Sequence, residues 1–197
     1  RAPDRFGGGD FKGPGGGGAI GAPGYNSGLP LSLGEWHHLA IVRKDQDYWR
    51  KQTSRWIGDW LKEETPLKTI CEFVERLYAE VNLDDFKGDQ DFAMANRRYS
   101  PQNIYSRLRT AQATVYERRA KSAATTEERA RMVKAADFAY RQAFALGPWA
   151  HEAVFRYEEF LKRQNRPDEA LLLVESAART NPGDKRLRQR AQEAKEK

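Results

Sequence analysis

Hydrophobic positions along this chain change their spacing near residue 45. From Asp45 on, apolar side chains recur at about 3.6 residues, the period of one helix face. Trp49, Trp56, Ile57, Trp60 and Leu61 form a first stripe, with Arg50, Lys51, Arg55 and Lys62 opposite. This predicts an amphipathic helix whose tryptophans serve as core residues rather than as a base-stacking platform. Thr65-Pro66 supplies an N-cap and a first-turn proline for a second helix, marked by Leu67, Ile70, Cys71, Val74, Leu77, Tyr78 and Val81. Ser100-Pro101 opens a third in the same way, with its stripe at Ile104, Tyr105, Leu108, Ala111, Val115 and Tyr116. That helix is expected to end near Ala123 and Ala124. Thr125-Thr126-Glu127-Glu128 is a capping-box pattern and starts a fourth helix.

Upstream of residue 45 the pattern is different. The first 34 residues hold twelve Gly and four Pro, too few buryable side chains to offset the entropy of ordering, which predicts a flexible leader. Its Gly15–Gly18 run lacks the Lys-Ser or Lys-Thr of a phosphate-binding loop. In the next segment, residues 35–44, Trp36, His38, Ala40 and Val42 alternate with Glu35, His37, Leu39 and Ile41 at strand period, predicting at most one short strand. Gly34-Glu35-Trp36-His37-His38-Leu39-Ala40-Ile41-Val42 resembles one strand of laminin-G-like jelly rolls, over nine residues and without the other strands of that fold. Neighbouring histidines on a strand point to opposite faces, and no third ligand stands at metal spacing, so no metal site is expected.

Charge and composition narrow the function. The chain has 197 residues, 31% of them charged, and its mean hydropathy is -0.85. No apolar run approaches the roughly 20 residues that span a bilayer, so no membrane insertion by this chain is expected. It opens at Arg1 without a Met, which suggests a processed or excised piece of something longer. The net charge is +6, yet both signs are interspersed, and the one local excess is a basic terminal helix from Lys185 to Lys197 that reads as a solvated face. This argues against nucleic acid as a partner. The single cysteine, Cys71, sits inside an apolar stripe with no His within thirty residues, which excludes a cysteine nucleophile. Asp84, Asp85, Asp89 and Asp91 fall in a polar connection, but Lys87 stands where a calcium loop needs an oxygen ligand. No catalytic constellation, elbow or cofactor motif is present, so the chain is expected not to be an enzyme and to bind no cofactor.

The strongest signal is a repeat. Ala136, Tyr140, Ala143 and Pro148 are followed 34 residues later by Ala170, Val174, Ala177 and Pro182. Small residues let two helices approach closely, and a larger one fills the space between them. Period and positions resemble the tetratricopeptide repeat, which implies an all-α fold of antiparallel helical hairpins over residues 45–197. Val154, Tyr157 and Leu161 occupy the expected core places of the repeat's first helix. Glu158 stands where that family usually has Gly or Ala, implying a looser contact. The stretch before Ala136 lacks the family's leading-helix residues and implies a lengthened first helix, while Leu187, Ala191 and Ala194 mark a terminal capping helix. With His151 as first position, the resemblance implies a concave groove lined by Glu152, Phe155, Glu159, Lys162 and Arg163, with Trp149 at its rim. Such a face, with both charges around aromatic anchors, suits a protein or peptide partner.

A second resemblance is carried by Arg43-Lys44-Asp45-Gln46-Asp47-Tyr48-Trp49, Phe86-Lys87-Gly88-Asp89, Ala139-Tyr140-Arg141-Gln142-Ala143 and Glu152-Ala153-Val154-Phe155-Arg156-Tyr157. These segments resemble the C-terminal tail of large bacterial multi-spanning membrane proteins that are similar to protein O-mannosyltransferases. It implies a non-catalytic tail, because the catalytic part of that family lies in the membrane portion. The expectations are thus an interaction module, with an RNA-binding helical protein or an accessory domain of a membrane glycosyltransferase as alternatives.

Overall fold

Proline and capping signals set most of the helix boundaries. α1 spans Leu67–Val74 and runs into a π-helical turn at Glu75–Ala79; α2 is Pro101–Ser122, α3 Thr126–Leu146, α4 His151–Arg163, α5 Pro167–Thr180 and α6 Lys185–Lys195. The computed structural model describes residues 51, 54–80, 82–83, 86–88 and 101–196. The expected leader (1–34), the extended segment (35–44), Trp49 and the four aspartates of the polar connection lie outside those residues. From Thr53 on the chain forms one unit. It is all-α, with no strand among the described residues. No helix among them is long and apolar enough to cross a membrane.

Two boundaries differ from expectation. The first amphipathic stripe continues to Leu61, but among the described residues helix is found at 54–57 and not beyond. Gly58 adopts φ +85°, a left-handed conformation that costs a residue without Cβ little, and Trp60 turns back to donate its Nε1–H to the Ile57 carbonyl at 2.7 Å. Trp56, Ile57 and Leu61 are nonetheless buried, so the stripe packs without a continuous helix beneath it. Thr65 does not cap α1. Its hydroxyl accepts from the Lys62 N–H at 2.8 Å and closes the preceding turn, leaving Pro66 at the cap position with no side-chain bond.

The capping box at α3 forms as its sequence requires. Thr125 Oγ1 accepts from the Glu128 N–H at 3.1 Å, and Glu128 reaches back to the Ala124 N–H at 3.2 Å. With no glycine or proline from Thr126 to Leu146, α3 then runs 21 residues, and α2 before it 22, against 13 and 14 for α4 and α5. The long pair α2 and α3 lies side by side, α4 pairs with α5, α5 with α6, and α1 rests on α3 and α5. The last two turns of α3, from Ala139 to Leu146, are buried on every side. Of the repeated positions, Ala136, Tyr140, Ala143, Pro148, Ala170, Val174 and Ala177 are buried, and Pro182 is exposed.

Polar anchors fix these contacts. Arg141 donates to the Glu63 carbonyl at 3.3 Å and to the Thr65 carbonyl, and pairs with Asp137 at 2.7 Å. Asp137 also accepts from the Tyr157 hydroxyl at 2.8 Å and meets Arg166 at 3.1 Å, which joins α3, α4 and the start of α5. Ser106 donates to the Ala143 carbonyl at 2.8 Å, and a Cβ on neighbouring Gly147 would stand 3.1 Å from the Ser106 Cβ, so α2 and the end of α3 meet where only a small residue fits freely.

Candidate functional site

Gly147 and Pro148 end α3, and the chain re-enters helix at His151 after a turn in which the Ala150 N–H donates to the Gly147 carbonyl at 3.0 Å. This brings the start of α4 beside the start of α6. Asp184 caps α6 by accepting from the Arg186 and Leu187 N–H groups at 2.9 and 3.1 Å, and its other oxygen lies 2.7 Å from His151 Nε2. Burial acts to raise the Asp184 carboxyl, but the Leu187 N–H, His151 and the Arg186 N–H together hold it below its usual range. Asn103 and Arg107 of α2, Trp149, Ala150, His151, Glu152, Asn181 and Asp184 line a depression of about 490 Å³ here.

The six residues expected in the groove divide into two groups. Trp149 and Glu152 line the depression. Trp149 is half-buried and meets Tyr78 edge-on at 5.1 Å, so it also covers the helix junction, while Glu152 is exposed and pairs with Arg156 at 3.0 Å. The other four run on along α4 and are engaged within the protein. Phe155 stacks on His151 at 5.7 Å, with the Arg190 guanidinium 5.4 Å from its ring centroid. Lys162 pairs with Glu158 at 2.6 Å, Arg163 pairs with Glu117 of α2 at 2.5 Å, and Glu159 sits 3.9 Å from Arg163 and 4.0 Å from Arg190.

Glu158 is a point where sequence reasoning expected too little. Rather than loosening the contact, its carboxylate is fully buried between Lys162 and Arg190, the latter at 2.5 Å, and so fastens α6 to α4. Arg190 is thereby drawn from the basic terminal face into a structural pair. Asn103, Arg107, His151, Asn181 and Asp184 were missed as lining residues. The 34-residue frame held a signal for two of them, since its first and last positions, His151 and Asp184, are the ones that meet.

Chemically the depression offers one imidazole–carboxylate pair, a guanidinium, a carboxylate, two amides and an indole. Among the described lining residues there is no Ser, Thr or Cys for that pair to activate. No cluster of His, Cys, Asp and Glu that could hold a metal ion occurs among the described residues. A second depression of about 440 Å³ lies by Trp60, Phe73 and Phe86, rimmed by Asp59, Glu72, Arg76 and Lys87. Cys71 lies inward of α1, where burial pushes its thiol up to about 12. No protein-family model matches this chain, and no curated protein or solved structure matches it significantly.

Proposed function

We propose that this chain is a non-catalytic docking module of tetratricopeptide type, which takes a short peptide or helix of a partner protein at the depression between the starts of α2, α4 and α6. The carrying observation is that Trp149, expected at the rim, and Glu152, expected in the groove, meet Arg107 and Asn103 of α2 around one concavity. An indole wall with a cation, an anion and amide donors at its edge matches the anchor-and-rim organisation of peptide interfaces. The buried repeat positions support the same reading, and so does the fit of α4 and α5 within one frame. On the second resemblance, the module is the tail of a larger membrane protein.

Panning a random peptide display library against the full chain supplies the probe. Glu152→Lys and Asn103→Arg change the rim while leaving the core alone, and the exposed Glu152–Arg156 pair they disturb is worth little to stability. Both variants should weaken a selected peptide about tenfold at unchanged helical content. Undiminished binding by both would remove this face as the interface, and retention of single-stranded RNA in place of peptides would favour the nucleic-acid alternative.

A further inference from the structure

The second helix carries its pattern reversed. Gln102, Ser106, Arg109 and Thr110 of α2 are buried, while Ile104, Leu108 and Val115 are 60%, 43% and 44% exposed. Ala111 is exposed with them. These four occupy steps of 4, 3 and 4 residues, so they form a straight stripe of three turns on the side of α2 turned away from α3. Their 3.6-residue period is the one that led the sequence reading to treat them as a core-facing stripe. None of the described helices covers it.

The charged side chains that α2 itself sets along the stripe have one sign. Arg107, Arg118 and Lys121 are exposed along its edge and end, and none of the three forms an ion pair among the described residues. The only acid in α2, Glu117, is turned aside and held by Arg163 at 2.5 Å and by the Tyr140 hydroxyl at 2.5 Å. A second copy of the chain laid on this face would bring like charges together. A helix with an apolar stripe and Asp or Glu along its flanks matches both the spacing and the charge.

We propose that the outward face of α2, centred on Ile104, Leu108 and Val115 and edged by Arg107 and Arg118, is a docking surface for an acidic amphipathic helix of a partner protein. It goes beyond the peptide depression, which it adjoins through Asn103 and Arg107 of α2. Helix-on-helix packing is the geometry in which a stripe at this period is covered along its length.

The test uses the full chain and two synthetic amphipathic helical peptides with the same leucine stripe, one flanked by Glu and one by Lys, read by fluorescence anisotropy. The Glu-flanked peptide should bind and the Lys-flanked one should not. Leu108→Glu should weaken binding about tenfold or more, and Arg118→Glu several-fold, with a smaller effect at high salt. Leu108 is exposed, so helical content should hold; if Leu108→Glu unfolds the chain, Val115→Glu serves instead. Glu152→Lys, which disturbs the depression from α4, should leave this binding intact. Equal binding of both peptides, or binding unaffected by the α2 variants, would overturn the proposal. So would two results that name other occupants: α2-dependent binding to phosphatidylglycerol–phosphatidylcholine vesicles without peptide binding, or self-association abolished by Leu108→Glu.

Discussion

Glu158 and its two cations make an asymmetric prediction. The carboxylate is fully buried, whereas the Lys162 and Arg190 side chains are 38% and 30% exposed. Glu158→Ala frees two cations that can turn into water, so the loss is chiefly the pair and its packing, about 1–2 kcal/mol. The double variant Lys162→Ala/Arg190→Ala strands the carboxylate in the interior and should cost about 3–5 kcal/mol, the range for an uncompensated buried charge. Arg190 also covers Phe155, which adds about 0.5–1 kcal/mol to that side. The decisive comparison is the triple variant, which removes the stranded charge as well. It should be more stable than the double by about 1–2 kcal/mol, a shift of roughly 1 M in urea midpoint at the slopes usual for small domains. Urea unfolding followed by far-UV circular dichroism measures this directly. A triple variant no more stable than the double would mean that the carboxylate is hydrated, and the account of α6 docking would fail.

Three further outcomes follow from the geometry. Ala143→Trp or Ala177→Trp overpacks positions that are fully buried between helices and should destabilise by about 1–3 kcal/mol or more, seen as a lower melting temperature. Asp184→Ala removes the α6 cap and should cost about 1 kcal/mol at neutral pH. Because the folded carboxyl is held below its ordinary value, that contribution is complete above the unfolded pKa, near 3.8, and is lost as pH falls through the folded one. Wild type and variant should therefore converge in stability in strong acid, and a difference that persists there would contradict the cap. Cys71, with its thiol pushed up to about 12, should resist iodoacetamide at pH 8 until urea unfolds the chain; rapid labelling of the native protein would contradict its burial.

Local chemistry made much of the fold legible in the sequence. Pro101, Thr125 with Glu128, and Pro167 mark helix starts through backbone groups only a few residues away, and the repeated alanines report close helix contacts directly. Features decided by tertiary partners were not legible. The apolar run through Leu61 gives no hint that Gly58 turns left-handed, and the stripe on α2 reads like any core stripe because periodicity does not say which side has a partner. For the candidate site, Trp149 and Glu152 were found through the frame. Arg107 and Asn103 come from a helix almost fifty residues earlier, and no spacing rule joins them to α4. The engagement of Arg163 was hidden as well, since it depends on Glu117 of α2, whereas Glu158 and Lys162 are four residues apart on one helix. Lys162→Glu is therefore a poor probe of binding, as it would set an acid against a buried carboxylate.

The contact between α1 and α5 changes how the molecule can come apart. Arg179 of α5 holds Glu75, just past α1, through two bonds of 2.9 and 2.8 Å, across 104 residues of sequence. In an open row of helical hairpins each unit touches only its neighbours, and the outermost can fray alone. Here an early helix is clasped by a late one, with the wholly buried end of α3 behind them. Loosening either end exposes the surface of the other, so the unit is expected to unfold as one cooperative block. Shortening it by a hairpin would not yield a smaller version of the same protein.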